Sequence, residues 1–381
     1  MQSQNNIIYL DHTATTPLDG GVLSLMTPYL TNVFGNASSQ HSLGREAANA
    51  LTAARDKIAA ALGISPSELY FTSGGTEADN LGIKGLALAG CKRGRHVVVS
   101  AIEHPAVIES AFALQPFGFE IDFVYPDERG VVTPEAVGAV MRQNTVLVAV
   151  MSANNETGVI QPVADIYNVV KERGALLWCD CVQTAGVLPL SLFPADGHAI
   201  SAHKFYGPKG VGAAHIRKGV RFVPQMNGGH QERGLRGGTS NTAAAVGMAE
   251  AFALSLSRAE EENKKIASLR DAFEELVLAK ISGVHINGGG ERLPSHSNLS
   301  FEGCDGQNIV MLLDMNGVAA STGSACTSGA ATPSHVLQAM GFDEKRVRSA
   351  VRFSFGRDNT LDEVKYSVEI LQKIISKIRN K

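Results

Sequence analysis

RHVVVSAIEHPAV, residues 95–107, decides how this chain is read. Its valine run has no polar alternation, which is the pattern of a strand covered on both faces. The polar stretch that follows puts His104 at the carboxyl end of that strand, the edge of an open α/β sheet where ligands sit. Working outward, FEIDFVY (119–125), TVLVAVM (145–151) and ALLWCD (175–180) read as further strands, with helices starting at Pro134 and Pro162. Alternating strands and helices predict an α/β fold with a mostly parallel, doubly wound sheet. VGAAHIR (211–217) is expected to close it.

At 381 residues the chain exceeds one ordinary core, so a large and a smaller domain are expected. Hydrophobic residues make up 44% and charged residues 19%, a globular composition without a disorder signature. A net charge of -3 supplies no field that would favour nucleic acid or a membrane as a main partner. The N-terminal MQSQNNIIYL lacks a basic leader region, and no run of about 18 apolar residues occurs, so a cytoplasmic protein is expected. The five cysteines, Cys91, Cys179, Cys181, Cys304 and Cys326, are scattered and odd in number, which fits free thiols in a reducing compartment.

Residues 45–62 carry apolar side chains at helical spacing and stop at Gly63, as at a C-cap glycine. A long helix starts near Thr242 and runs into the charged stretch 257–265, where a hinge is expected. Beyond it, SNLSFEG (297–303), a helix from Gln307, GVAAST (317–322), AVRFSFG (350–356) and a last helix over 361–381 predict a small α+β domain. The expected division is 14–257 for the large domain and 1–13 with 258–381 for the small one.

Several segments carry chemistry. In SAHKFYGPKG (201–210) Lys204 follows an apolar run and precedes a turn in which Gly207, Pro208 and Gly210 fix the loop. A lysine nucleophile needs such a half-buried setting to lower its pKa, although the same pattern also describes a surface lysine before a turn. ELYFTSGGTEADN (68–80) is a strand, a glycine turn and a helix whose positive end suits a phosphate, or else an ordinary helix capped at Thr76. Asn154, Asn155 and Glu156 follow one strand, and Asp180 and Gln183 close another. A carboxylate ending so apolar a strand as ALLWC is expected to face a cation, or else to cap a helix. The loop 227–241 bears Arg233, Arg236 and Thr239 and reads as a mobile lid or as an anion site across a subunit contact. Cys326 sits among small residues, the setting of an exposed, movable thiol rather than a packed one.

Taken together, a phosphate cradle at 74–76, a flat partner at His104, a carboxylate at Asp180, an amide at Gln183 and an amine at Lys204 describe a site for pyridoxal 5'-phosphate. Lys204 then condenses with the cofactor aldehyde, Asp180 pairs with the pyridinium nitrogen, His104 stacks on the ring and Gln183 bonds its hydroxyl.

The chain also resembles the cysteine desulfurases of the NifS/IscS group, which are class V aminotransferase-like. The resemblance runs nearly end to end, through ATTP (14–17), SGGTEADN (73–80), Glu103–His104, NNETG (154–158), Asp180 with Gln183, SAHKFYGPKG, ERGLRGGT (232–239), STGSACTSG (321–329) and RFSFG (352–356). It implies the aspartate aminotransferase-like fold type I of PLP-dependent transferases. It implies that Gly75, Thr76, Ser201 and His203 hold the phosphate, with Thr239 supplied by the other subunit of a homodimer. Asn155 and Arg352 would place L-cysteine, Cys326 would take its sulfur as a persulfide while L-alanine leaves, and His104 would assist proton traffic. A protein acceptor for the sulfur is implied, in iron-sulfur cluster assembly or a thiolation system, and no metal site. His12, Ala37 and Cys181 depart from the usual pattern; Cys179 and Cys181 read as buried thiols. The rivals are an aminotransferase or selenocysteine lyase on the same scaffold, and a non-enzymatic sulfur relay.

Overall fold

The computed structural model describes residues 7–323 and 333–380. A short strand β1 (Ile8–Tyr9) precedes helices α1 (Gly20–Thr31) and α2 (Ser42–Leu62). Helix α2 stops where the spacing predicted, at Gly63 with φ +69°, a left-handed C-cap. Then β2 (Leu69–Thr72), α3 (Gly75–Gly90), β3 (His96–Ser100), α4 (Pro105–Phe112), β4 (Glu120–Val124), α5 (Pro134–Val140), β5 (Thr145–Ala149), α6 (Val163–Glu172), β6 (Leu176–Asp180), β7 (Gly197–Ser201) and β8 (Gly212–Ile216) follow.

These strands form one seven-stranded sheet in the order β2-β8-β7-β6-β5-β3-β4, parallel except at β8. The strand 212–216 therefore does not close the sheet at its edge. It inserts antiparallel between β2 and β7, because the turn that carries Lys204 is short enough to lay β8 directly beside β7. Both faces are covered, as continuous apolar strands require. Val97 and Val99 pack among α3 and α4 residues, while Val98 faces the opposite layer with Ile166 of α6.

Helix α7 (Thr242–Lys280) is a single 39-residue helix. The expected hinge at 257–265 is not a break: the helix runs straight through it, with most of the charged residues exposed and only Ala259 apolar among them. Its first half (Met248, Phe252) packs on the large sheet; its second half (Ile266, Leu269, Phe273, Val277) packs with β10, β12 and α11 of the remaining chain. That part contains β9 (Val284–Ile286), β10 (His296–Phe301), α8 (Gly306–Asp314), β11 (Val318–Ala319), α9 (His335–Ala339), α10 (Glu344–Arg348), β12 (Ala350–Ser354) and α11 (Leu361–Arg379). Strands β9, β10 and β12 form an antiparallel sheet, and β1 pairs with β11. Among the described residues no helix is long and apolar enough to cross a membrane.

One close approach fixes α3 against the sheet. A methyl group at Gly82 would come within 2.3 Å of the ring of Trp178, which is fully buried on β6. Gly82→Ala gains about 1 kcal/mol of helix propensity, but overpacking against a rigid buried indole costs more, typically about 1–3 kcal/mol and here at the upper end. The variant should lose at least ~1 kcal/mol in denaturant unfolding followed by the fluorescence of Trp178, the chain's one tryptophan.

Candidate functional site

A cavity of about 270 Å³ opens at the carboxyl ends of β3, β5, β6 and β7 and brings together Gly75, Thr76, His104, Asn155, Asp180, Gln183, Ser201, His203 and Lys204. Each arrives there through its strand or helix end, so the sheet edge does the assembling.

The glycine turn ends in an N-cap, Gly74, with φ +155° and no side-chain cap. Thr76 therefore does not close the helix, as the plainer reading had it. Glu77 turns back to accept the Ser73 N–H at 2.7 Å and pairs with Arg236, leaving the first-turn N–H groups of α3 for an anion. Gly75 is where the wall is tightest: a methyl there would meet Val182 at 2.7 Å.

Asp180 ends β6 buried, with one oxygen accepting the Val182 N–H at 2.8 Å in a turn, not a helix cap. Burial pushes its carboxyl up to about 6, against the Val182 N–H and the Lys204 amine, which pull it down. Lys204 donates from Nζ to the carbonyls of Thr13 at 2.6 Å and Ala14 at 2.9 Å. Burial and the nearby Arg352 lower its pKa to about 8, while Asp180 and Asp11 hold it up. His104 caps α4, Nδ1 accepting the Ala106 N–H at 3.1 Å. Although solvent reaches it through the open cleft, the crowding protein, then Lys204 and His335, lower the imidazole pKa to about 4, so that it is neutral at pH 7. Gln183 reaches the Thr13 carbonyl at 3.5 Å, and the His203 ring contacts the Thr15 hydroxyl at 3.2 Å.

Two expected residues stand elsewhere. Thr239 lines a separate cavity of about 220 Å³ beside Arg236 and Asn241. Arg352 is buried behind the first cavity, bonded to Asp11 at 2.8 Å and to the Asn155 carbonyl at 3.0 Å, with Nε unpartnered. Cys326 lies outside the described residues. The loop arginines are not free to hold an anion: Arg236 pairs with Glu77, and Arg233 stacks on Tyr70 and donates to the Leu69 carbonyl.

Sequence reading missed what holds the lysine turn. The left-handed residue there is not only Gly210 but Tyr206, at φ +62°. Its N–H donates to the Thr16 hydroxyl at 2.7 Å, and its own hydroxyl accepts the Arg357 N–H at 2.9 Å. Thr16 was visible only as part of ATTP, with nothing to say that it reaches across 190 residues. Two further buried carboxyls, Asp79 in the cavity wall and Glu103 beside His104, were also passed over.

The donors fit a phosphorylated pyridine aldehyde. An anion end meets helix N–H groups, Ser201 and His203; a buried carboxylate with one oxygen to spare awaits a cation; and an amine with a lowered pKa stands between them. In protein stripped of cofactor, Lys204 should react with an amine-directed reagent with a midpoint near its pKa of about 8, well below the ordinary value of about 10.4. Asp180→Asn removes a charge that holds the pKa up, so the midpoint should move lower still. Peptide mass spectrometry of reductive methylation against pH checks both; a midpoint at the ordinary lysine value would refute them.

The aminotransferase class-V model matches residues 8–366. A cysteine desulfurase IscS of Dictyoglomus turgidum is 42% identical over 98% of this chain and 95% of its own length. A solved NifS-like protein superposes with a TM-score of 0.91 at 38% identity, over 97% of this chain and 100% of that one. A second structure, SspA in complex with cysteine, gives 0.82 at 34% identity, over 93% and 100%. With a match that takes in both sheets and the whole cavity, the chain belongs to the aminotransferase class-V family.

Proposed function

We propose that this chain is a PLP-dependent cysteine desulfurase that converts L-cysteine to L-alanine and retains the sulfur as a persulfide on Cys326. The observation that carries the reading is Lys204, an amine with a lowered pKa in a cavity it shares with Asp180 and the N-terminus of α3. Relatives named cysteine desulfurase, matching nearly end to end, support it.

PLP, when bound, supplies an electron sink that stabilises negative charge at the substrate α-carbon. The remaining work falls to the chain. Gly75, Thr76, Ser201 and His203 hold the phosphate. Asp180 would support a protonated ring nitrogen, Gln183 would bond the ring hydroxyl and His104 would pack against the ring. Lys204 would supply the amine that holds the cofactor, and with its lowered pKa that amine could also carry the substrate α-proton. Arg352 and Asn155 take the substrate carboxylate; the unpartnered Nε of Arg352 is a donor still to be used. The Cys326 thiolate would attack the substrate sulfur, forming an S–S bond as the substrate C–S bond breaks, with the C–S electron pair and the thiol proton remaining on the three-carbon fragment that leaves as L-alanine.

A homodimer is part of this reading. Helix α1 and its continuation leave Leu23, Leu25, Leu30 and Phe34 exposed, Phe34 at 72%, an apolar surface that a second copy can cover. Thr239, which lines a neighbouring cavity and not this one, is then available to the partner's. A cytoplasmic location, a protein acceptor for the sulfur and the division into 14–257 and 1–13 with 258–381 complete the proposal. Against a selenocysteine lyase or aminotransferase, a required Cys326 discriminates; against a mere relay, a required Lys204.

The purified protein should be yellow, and borohydride should fix the chromophore at Lys204; Lys204→Ala should be colourless. Cys326→Ser should still change its spectrum on adding L-cysteine yet lose persulfide formation and nearly all alanine release. Alanine release by Cys326→Ser at the wild-type rate would remove the thiol from the mechanism.

A further inference from the structure

Of the buried carboxyl groups at the sheet edge that forms the cavity, three act on one another's charge, and the proposed chemistry uses one of them. Asp180 ends β6, Asp79 lies on α3, and Glu103 follows β3; they are 6%, 1% and 0% exposed. Trp178 and Asp180 are two residues apart on one strand and face the same side, towards α3. There the indole Nε1–H donates to Asp79 Oδ1 at 3.0 Å, which pins Asp79 beside Asp180. Glu103 accepts the Met151 N–H at 2.7 Å through Oε1, and its other oxygen, buried, has no partner. Among the described residues, no ion pair includes any of the three.

Buried carboxylates without a cation are so costly that they keep their protons instead. Asp180 has the Val182 N–H and the field of Lys204 to support a charge. Asp79 has only a neutral indole, Glu103 one amide and the nearby Ser100 hydroxyl, all uncharged, and each would sit in the field of ionised Asp180. Burial first, and then that field, pushes both carboxyls well above their usual range.

We propose that Asp79 and Glu103 are held as neutral carboxylic acids, so that the three-carboxyl cluster presents a single negative charge, on Asp180, and takes a ligand with one ring cation. This rests on the reading of the cavity as a PLP site. A protonated Asp79 keeps Oδ1 as acceptor for Trp178 and has its O–H to donate into the cavity wall. The arrangement matters for the lysine as well. Each further negative charge at this edge would favour the ammonium form of Lys204 and work against the lowered pKa its chemistry needs.

The test uses the holoprotein at neutral pH. Infrared difference spectra of wild type against Asp79→Asn and against Glu103→Gln should each lose a protonated-carboxyl C=O stretch and no ionised-carboxylate band. Because amides replace neutral acids, both variants should release PLP within about twofold of the wild-type rate, whereas Asp180→Asn should release it about tenfold faster or more. A lost carboxylate band in either variant, or tenfold faster PLP release from Asp79→Asn, overturns the proposal. Should Asp79→Asn fold poorly, Glu103→Gln decides on the same two readouts. A wild-type protein that binds no PLP at all would sink the functional reading, while the infrared bands would still decide the protonation of Asp79 and Glu103.

Discussion

The hydrogen bonds from Lys204 Nζ to the carbonyls of Thr13 and Ala14 are the constraint on which the site depends. An amine in a half-buried cleft must have acceptors, and here they come from a segment 190 and 191 residues earlier in the chain. That segment is itself tied down. The Thr13 N–H donates to Ser354 Oγ at 2.9 Å, its hydroxyl contacts His296 at 3.2 Å, and Asp11 pairs with Arg352. Residues 11–16 therefore run as a seam between β12 and the lysine turn, and the distance between the small sheet and the cavity is set through that seam.

The turn itself stores a cost. A left-handed tyrosine is disfavoured by roughly 1–2 kcal/mol, and Tyr206 adopts it at φ +62° because three contacts oppose relaxation. Thr16 receives its N–H, Arg357 donates to its hydroxyl, and the Arg357 guanidinium lies 3.9 Å from its ring centre. Each of those partners belongs to the seam or to the loop after β12. The strain at the lysine and the closure of the two layers are thus one arrangement, not two.

How legible this was follows from the range of each interaction. The parallel strands were readable because burial on both faces leaves a local signature, as in VVV at 97–99 and LLWC at 176–179. The cavity-lining groups were readable because parallel strands deliver their carboxyl ends to one edge, so position within a strand nearly fixes position in the site. Insertion of β8 between β2 and β7 was not readable, since the small residues of GAAHI carry no mark of their partners and His215 does not announce that it meets His198 of β7. The unbroken course of α7 was missed because charge at 257–265 looks the same on a hinge and on the solvated face of a helix. Asp79 and Glu103 were passed over because nothing local tells a solvated acid at a helix start from one driven under a sheet edge; the difference is made by distant partners, the indole of Trp178 for Asp79 and the Met151 N–H for Glu103.

The segment that carries Cys326 begins and ends at one side chain. On one side Ser321 pairs with Arg352 through both backbone groups, and a methyl at Gly323 would lie 3.0 Å from Glu156 Oε2. On the other, Ser334 Oγ donates to that same oxygen and caps α9, whose first residue, His335, contacts the Glu103 carbonyl at 2.9 Å. Glu156 stands in the NNETG turn next to Asn155, which lines the cavity, and its own position is fixed by Asn154, which accepts the N–H groups of Glu156 and Thr157 at 2.9 Å. The turn that presents Asn155 to the ligand is therefore the turn that receives both ends of the thiol-bearing segment. A shift of either end would be felt at the wall of the cavity, which gives a physical reason for the polar NNETG run to end so apolar a strand as β5.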